Sequence, residues 1–501
     1  MSRQSSLQIP AAPDVVVIGG GTAGAMAAHQ LATWGHLVLL IEREITRPPL
    51  AESLPPSCIP LLERLGVQQA IDNAGFVRGR GNTVWWGGEP MRVEAFPGGG
   101  YGYQVARERL EEVLVACAEA VGVVRLRPAT AVRVQHDGEM NVVELSSPDG
   151  PHTVRTKWVL DCTGRAGLLA RAHRVAPPDG VRTLALITVF DRADGWLLPD
   201  DTHTLVESAS WGWGWSVPIS KTRRCFTAMI DPDLTPIAGD AGLSTHYDNL
   251  FASLPALGPM LRDASVVRVG APWACEATPY HSSEVVLPNA LLVGDAASMI
   301  DPLSSFGVKK ALASAWLSAV VVHTALVSPE NTALATALYR EREAAYVRSA
   351  THALGGVSRE ADSARGVPFW TARAALEGSP EIDGDSVEVL RRDPAVLHAF
   401  HQLRDQASVR LDVAPQLERR VRPVVRGNVV VAEEHLLLHG LTDSVRYLRS
   451  VDLLALLDVA TRHGDVGDMY ADYARRMGAV PLPDFLGALS VLVAKGAAVV
   501  A

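Results

Sequence analysis

Residues 14–44 read DVVVIGGGTAGAMAAHQLATWGHLVLLIERE, and the order of strand, glycine turn, helix, strand and acid in this stretch decides the fold. Residues 15–18 are a β-branched run, and Gly19, Gly21 and Gly24 follow at G-x-G-x-x-G spacing. Ala27, Ala28, Leu31 and Ala32 then give the next segment one apolar helical face. Gly19 permits the tight turn, Gly21 lets backbone approach a pyrophosphate, and Gly24 lets helix pack close on strand. Thr22 and Ala23 open a helix whose unpaired N–H groups face phosphate. Residues 37–41 make the second strand, and Glu42 at its end, followed by Arg43, is placed to accept hydrogen bonds from ribose hydroxyls. Together these features predict a bound dinucleotide; a glycine-rich turn in an ordinary α/β domain is the alternative.

Working outward, 501 residues suit about three domains, fewer if one is inserted in another. A hydrophobic content of 48 % with 20 % charged residues supplies a large core, and a net charge of −9 argues against nucleic acid and against a basic membrane-binding face. Cys58, Cys117, Cys162, Cys225 and Cys275 are widely spaced and form neither a C-x-x-C pair nor a Cys/His cluster. That pattern predicts reduced thiols, a cytoplasmic protein and no metal site. Residues 1–13 lack the basic-then-apolar order of a signal peptide and read as a flexible terminus. The apolar run 311–326 is interrupted by Ser314, Ser318 and His323, so a buried helix is expected there and not a membrane span.

Prolines at 48, 49, 55 and 56 around Ala-Glu-Ser-Leu make residues 48–60 a long loop beside the cofactor end of the first sheet. Residues 83–86 and 91–96 read as a hairpin, and 107–121 as an amphipathic helix. Strands at 131–134, 141–145 and 158–160 follow, the last running into Asp161-Cys162-Thr163-Gly164. From 183 to about 269 separated apolar strands predict a sheet laid over the ligand. A buried strand at 290–293 stops at Gly294-Asp295, before Asp301-Pro302-Leu303-Ser304-Ser305-Phe306-Gly307 and a helix from Val308. Near the end a basic linker with Arg419, Arg420, Arg422 and Arg426 precedes a strand at 429–431 and helical patterns at 451–461, 466–477 and 484–495, which suggest a winged-helix-like module. Eight Lys/Arg against nine Asp/Glu over 421–501 argue against DNA binding.

The glycine fingerprint, the Asp161-Cys162-Thr163-Gly164 turn and Gly294-Asp295 followed by Asp301-Pro302 together resemble the flavin-dependent monooxygenase fold, specifically the tryptophan-halogenase superfamily, over roughly residues 14–330. Glu52-Ser53-Leu54-Pro55-Pro56 and Trp213-Gly214-Trp215-Ser216-Val217-Pro218, similar to a W-x-W-x-I-P element, are the more specific marks. The resemblance implies FAD and O2, with NAD(P)H reducing the flavin directly or through a separate reductase. It implies that Gly294 and Asp295 bind the ribityl or phosphate region and that Pro302, Ser305, Gly307 and Val308 pass the flavin's pyrimidine edge. Arg107 resembles the arginine that contacts cofactor phosphate; an exposed helix arginine is the alternative. Trp213 and Trp215, two apart on a strand, present both rings to one face, where they either wall the space between flavin and substrate or pack in the core. Glu52 is a candidate base, or a solvated loop carboxylate. Lys309 could supply charge near the flavin, although a helix N-terminus disfavours it.

In that family reduced flavin and O2 give a C4a-hydroperoxide, which a halogenase uses on halide and a hydroxylase delivers directly to an electron-rich ring. The halogenases carry a lysine where this chain reads Gly75-Phe76-Val77-Arg78-Gly79-Arg80, with Gly79 at the aligned position, and no lysine occurs between Glu42 and Lys157. Arginine stays protonated and does not substitute for it. The 301–310 segment resembles the flavoproteins that hydroxylate tryptophan residues of partner proteins during tryptophylquinone cofactor biogenesis.

The expected architecture is α/β (α+β): a Rossmann-like FAD-binding domain at 14–180 and 285–340, an inserted mainly antiparallel substrate-binding sheet at 181–284 with 81–105 contributing, a helical segment at 341–420, and the winged-helix-like module at 421–501. The expected activity is an FAD-dependent monooxygenase hydroxylating an aromatic substrate, a tryptophan in a peptide or partner protein, with the C-terminal module helping to dock it. A halogenase of an indole, pyrrole or phenol, which the tryptophan element favours, and an FAD-containing binding scaffold are the alternatives.

Overall fold

The computed structural model describes residues 9–44, 48–178, 180–237, 242–362, 366–379, 390, 393–405, 408–441 and 443–500. The flexible terminus expected at 1–13 falls mostly outside them, and within it Ile9 packs against a core. The chain divides into two compact units, residues 1–332 with 339–380, and residues 333–338 with 381–501.

In the larger unit, Val15–Ile18 sits inside a six-stranded sheet ordered Val286–Leu287, Ala290–Leu292, Trp158–Asp161, Val15–Ile18, Val38–Ile41, Val124–Leu126. All pairings are parallel except at the Val286–Leu287 edge. Parallel strands are covered on both faces, so they are almost wholly apolar, and Val15, Val16 and Val17 have no exposed surface. Register places Ile18 beside both Ile41 and Asp161, so three strands release their chains at one level. There Gly19 turns with φ +106°, and a Cβ on it would come within 2.4 Å of the Cys162 carbonyl oxygen. The helix Thr22–Thr33 then packs so close that a Cβ at Gly24 would lie 1.8 Å from the Gly19 oxygen.

The second sheet has seven strands, ordered Val266–Glu276, Leu184–Arg192, Arg223–Ile230, Gly212–Pro218, Thr204–Ala209, Gly81–Trp85, Arg92–Ala95. One face packs Phe226 and Leu186 against Tyr247 and Phe251. Those two rings come from Gly242–Ala252, which with Leu257–Arg262 forms a helical pair inside a region whose sequence reads as strands alone. On the other face Trp213, Trp215 and Met229 share a core with Phe369 and Trp370 of the helix Pro368–Ala374.

Two expectations about residues 48–106 need correction. Residues 51–54 are a strand, not a loop: the prolines flank Ala51–Leu54 without interrupting it, leaving its backbone free to pair with Gly102–Ala106. Gly102–Ala106 therefore belongs, with Val77–Gly79, to a separate three-stranded sheet, and only 81–95 joins the seven-stranded one. The apolar helix Gly307–Val327 is long enough to cross a membrane by length and composition, but it is mostly buried within the fold, against Thr22–Thr33.

The smaller unit pairs Glu418–Arg426 with Val429–Leu437 in a hairpin, followed by the helices Leu453–Ala460, Val466–Met477 and Leu482–Ala494. Its last strand, Ala498–Val500, pairs with Leu411–Val413, so the unit begins upstream of the expected boundary at 421. Arg419, Arg420, Arg422 and Arg426 lie in a strand and not in a linker, where Arg419, Arg420 and Arg426 pair with Glu434, Glu418 and Glu433.

Because the backbone at Gly19 has nowhere to go, Gly24→Ala is expected to lower stability by at least about 2 kcal/mol, the upper range of overpacking. Denaturant unfolding of the full chain checks this, and an unchanged midpoint would show that the turn yields.

Candidate functional site

A cavity of about 800 Å³ runs from the glycine turn to the tryptophan face of the seven-stranded sheet, within the size range of small-molecule sites. At its first end Gly19, Gly21, Thr22 and Ala23 form the wall, with Gly24 packed beneath them. The helix there has Gly21 as N-cap, no capping side chain and no acid in its first turn, so its leading N–H groups are available to an anion. A Cβ on Gly21 would meet only Glu111 Oε1, at 3.4 Å, so this backbone is bare toward the cavity. Glu42 and Arg43 continue the wall. The Glu42 carboxylate accepts hydrogen bonds from Arg125 Nε at 2.8 Å and Nη2 at 2.7 Å. Arg125 escapes a sequence reading because it arrives from a strand 83 residues away that pairs beside Val38–Ile41. Gly20, between the fingerprint glycines, leaves room for the Glu42 carboxylate, whose carbon would lie 2.6 Å from a Cβ there.

The Asp161 turn is built by its own acid. Asp161 is fully buried; Oδ1 accepts from the Thr163 amide at 3.0 Å and hydroxyl at 2.6 Å, and Oδ2 from the Leu169 amide at 2.7 Å. Cys162, Thr163 and Gly164 thereby face the cavity. Across from them Gly294, φ +63°, lies just behind the wall and Asp295 lines it. Pro302, Ser305, Gly307 and Val308 line it as well. Ser305 adopts φ +53°, uncommon for a residue with a side chain, and the turn before it is capped by Asp301 Oδ1 accepting from the Leu303 amide at 2.9 Å.

Lys309, the sequence candidate, does not line the cavity; its ammonium lies 5.0 Å from the Phe306 ring centroid. The next residue, Lys310, is the buried one. Its Nζ donates to the Gly294 oxygen at 2.7 Å and the Ser298 oxygen at 2.5 Å and sits 3.7 Å from Glu343, both side chains being at most 4 % exposed. One helical step of about 100° separates a half-buried lysine from an internal one.

Glu52, Arg107, Glu111 and Asp295 meet at the cavity wall. Arg107 Nε donates to Glu111 Oε1 at 3.1 Å and Nη1 to Glu52 Oε1 at 3.4 Å. Burial pushes the Glu52 carboxyl above its ordinary range; Arg107 opposes this, and the charges of Asp295 and Glu111 add to it. Burial works against the charge on Arg107, but Glu52, Glu111 and Asp295 outweigh it and hold the guanidinium protonated. Glu111 carries no motif signal beyond its i+4 spacing from Arg107. Of the two tryptophans, Trp215 lines the cavity and Trp213, only 2 % exposed, is core, edge-on to it at 5.7 Å between ring centroids. A Cβ at Gly79 would lie 2.5 Å from Gln104 Nε2, which itself donates to Thr204 Oγ1 at 3.0 Å.

Removing the Lys310 ammonium leaves Glu343 buried without a counter-charge. Lys310→Met is therefore expected to cost about 3–5 kcal/mol, with much of it recovered by adding Glu343→Leu. Equal losses in the single and double variants, measured by denaturant unfolding, would show that the pair is not coupled.

Residues 12–317 match the FAD binding domain family. Tryptophan 2-halogenase of Chondromyces crocatus is 29 % identical over 395 residues, which cover 73 % of this chain and 72 % of that protein. Among solved structures, the flavin-dependent halogenase CmlS is similar with a TM-score of 0.74 at 20 % identity, covering 97 % of this chain and 95 % of that one. QhpG, a peptidyl tryptophan dihydroxylase essential for tryptophylquinone cofactor biogenesis, is similar with a TM-score of 0.68 at 22 % identity, covering 97 % and 100 %. The glycine turn bare to the cavity, the uncapped helix end and the ribose-side acid are the cradle such a cofactor requires. The chain belongs to the FAD binding domain family, and within it is similar to tryptophan-halogenase-like FAD-dependent monooxygenases.

Proposed function

We propose that this chain hydroxylates an electron-rich aromatic ring, a tryptophan side chain presented by a peptide or partner protein. The observation that carries hydroxylation over halogenation is Gly79. The family's halogenases place a lysine at the aligned position, and here the space beside its Cα is filled by the Gln104 amide, itself held by Thr204. QhpG, which shares the fold, acts by its name on a peptidyl tryptophan, which supports a peptide-borne substrate. A second reading, halogenation, is favoured by the Trp213–Pro218 element and by the tryptophan 2-halogenase relative.

In this proposal Gly19, Gly21, Thr22 and Ala23 hold the FAD pyrophosphate with backbone N–H groups, Glu42 the ribose, and Asp295 with Pro302, Ser305, Gly307 and Val308 the flavin side. FAD, reduced by NAD(P)H directly or through a separate reductase, supplies the activation of O2. The protein's own groups do the rest. Trp215, Ile187 and Met229 give the substrate an apolar wall that excludes water. Glu52 takes the proton that the ring loses when it is substituted, and its burial, which raises its pKa, makes it a stronger base. All five cysteines are free thiols, which supports a cytoplasmic setting.

The test is a single-turnover reaction of reduced protein with O2, an indole-containing peptide and bromide, read by product mass. Oxygen gained without bromine is expected; a brominated product overturns the proposal. With FAD saturating, Glu52→Gln is expected to slow product formation by about 10²-fold or more.

A further inference from the structure

One end of the cavity has a charge arrangement that fits its anionic ligand poorly. A dinucleotide brings a pyrophosphate to the N-terminus of the helix Thr22–Thr33. Beside that terminus stand three carboxylates, Glu52, Glu111 and Asp295, around one guanidinium, Arg107. Glu111 is the nearest: its Oε1 lies 3.4 Å from where a Cβ of Gly21 would be, next to the backbone that must receive phosphate. Arg107, the cation able to offset this, is engaged by Glu111 and Glu52.

We propose that Arg107 is exchanged on cofactor loading: the FAD pyrophosphate draws its guanidinium away from Glu52 and Glu111, and Glu52, losing its counter-ion, takes up a proton from solvent. The groups that face Glu52 are Arg107 and Glu111 from Arg107–Ala120, Asp295 from the Gly294 turn, and the Cys225 thiol from Arg223–Ile230. Arg107 alone favours the charged carboxylate, so its departure leaves burial and two acids, all acting toward protonation. The exchange couples the two halves of the cavity, because Glu52 regains its proton only where flavin is bound. A proton held by Glu52 must then leave before the residue can serve as a base, so flavin loading and the pH optimum of the reaction are linked through one carboxyl. The exchange concerns cofactor binding and stands whether or not the chain hydroxylates, so its failure and that of the proposed activity are separable.

Calorimetric titration of the full-length chain, freed of flavin, with FAD in two buffers of different ionisation enthalpy measures protons taken up on binding. Net uptake is expected, with the Kd tightening as pH falls by up to about tenfold per unit. In Glu52→Gln the uptake should vanish while FAD still binds. Arg107→Gln should bind FAD more weakly and lose the pH dependence, because its Glu52 is already unpaired. Glu111→Gln should bind FAD about two- to fivefold more tightly, as expected for removal of one opposing charge. No uptake in the wild-type chain, or uptake unchanged in Glu52→Gln, overturns the proposal; circular dichroism of each variant confirms that a loss of binding is not a loss of fold.

Discussion

The contact on which the larger unit depends is the seating of a helix against a carbonyl oxygen. At Gly24 there is no room for even one carbon atom beside the Gly19 oxygen, and at Gly19 none beside the Cys162 carbonyl. Three backbones are stacked there at van der Waals distance, and close-packed interiors do not yield gradually. That stack fixes the helix terminus over the ends of the strands bearing Ile18, Ile41 and Asp161. Every other wall of the cavity is set relative to it.

Two kinds of charge stand in and around the site. Asp161 and Lys310 are dry, and each is used up by hydrogen bonds that shape a turn: Asp161 the one at Cys162–Gly164, Lys310 the one at Gly294. A buried charge is tolerable only when so engaged. Glu52, Arg107 and Glu111 are the opposite case, with side chains 17–37 % exposed at the cavity wall and hydrogen bonds at 3.1–3.4 Å that a ligand can replace. The first kind makes the site rigid, and the second gives it something to exchange.

The seven-stranded sheet serves two layers at once. Its helix-covered face is an aromatic core, and its other face presents Trp215 and Met229 to the cavity while Trp213 is taken into packing with Phe369 and Trp370. The alternation of side chains along a strand puts Trp213 and Trp215 on the same face but does not decide which meets ligand. What decides it is the helix Pro368–Ala374, contributed from more than 150 residues downstream.

By itself the sequence determined the strand–turn–helix–strand of residues 14–44 and the dinucleotide cradle, because these rest on glycines and short periodicities whose physical consequences are local. It also marked Asp161, Glu52, Arg107 and Asp295 as residues of interest. Only the tertiary structure decided that Ala51–Leu54 is a strand, since proline chemistry is local but strand pairing needs Gly102–Ala106 as a partner. The structure alone also exchanged Lys309 for Lys310, gave Glu42 its partner Arg125, and brought Glu111 to Gly21. These are contacts between residues distant in sequence or choices between adjacent positions on a helix, and neither leaves a spacing to read; they are fixed only when the chain has closed on itself.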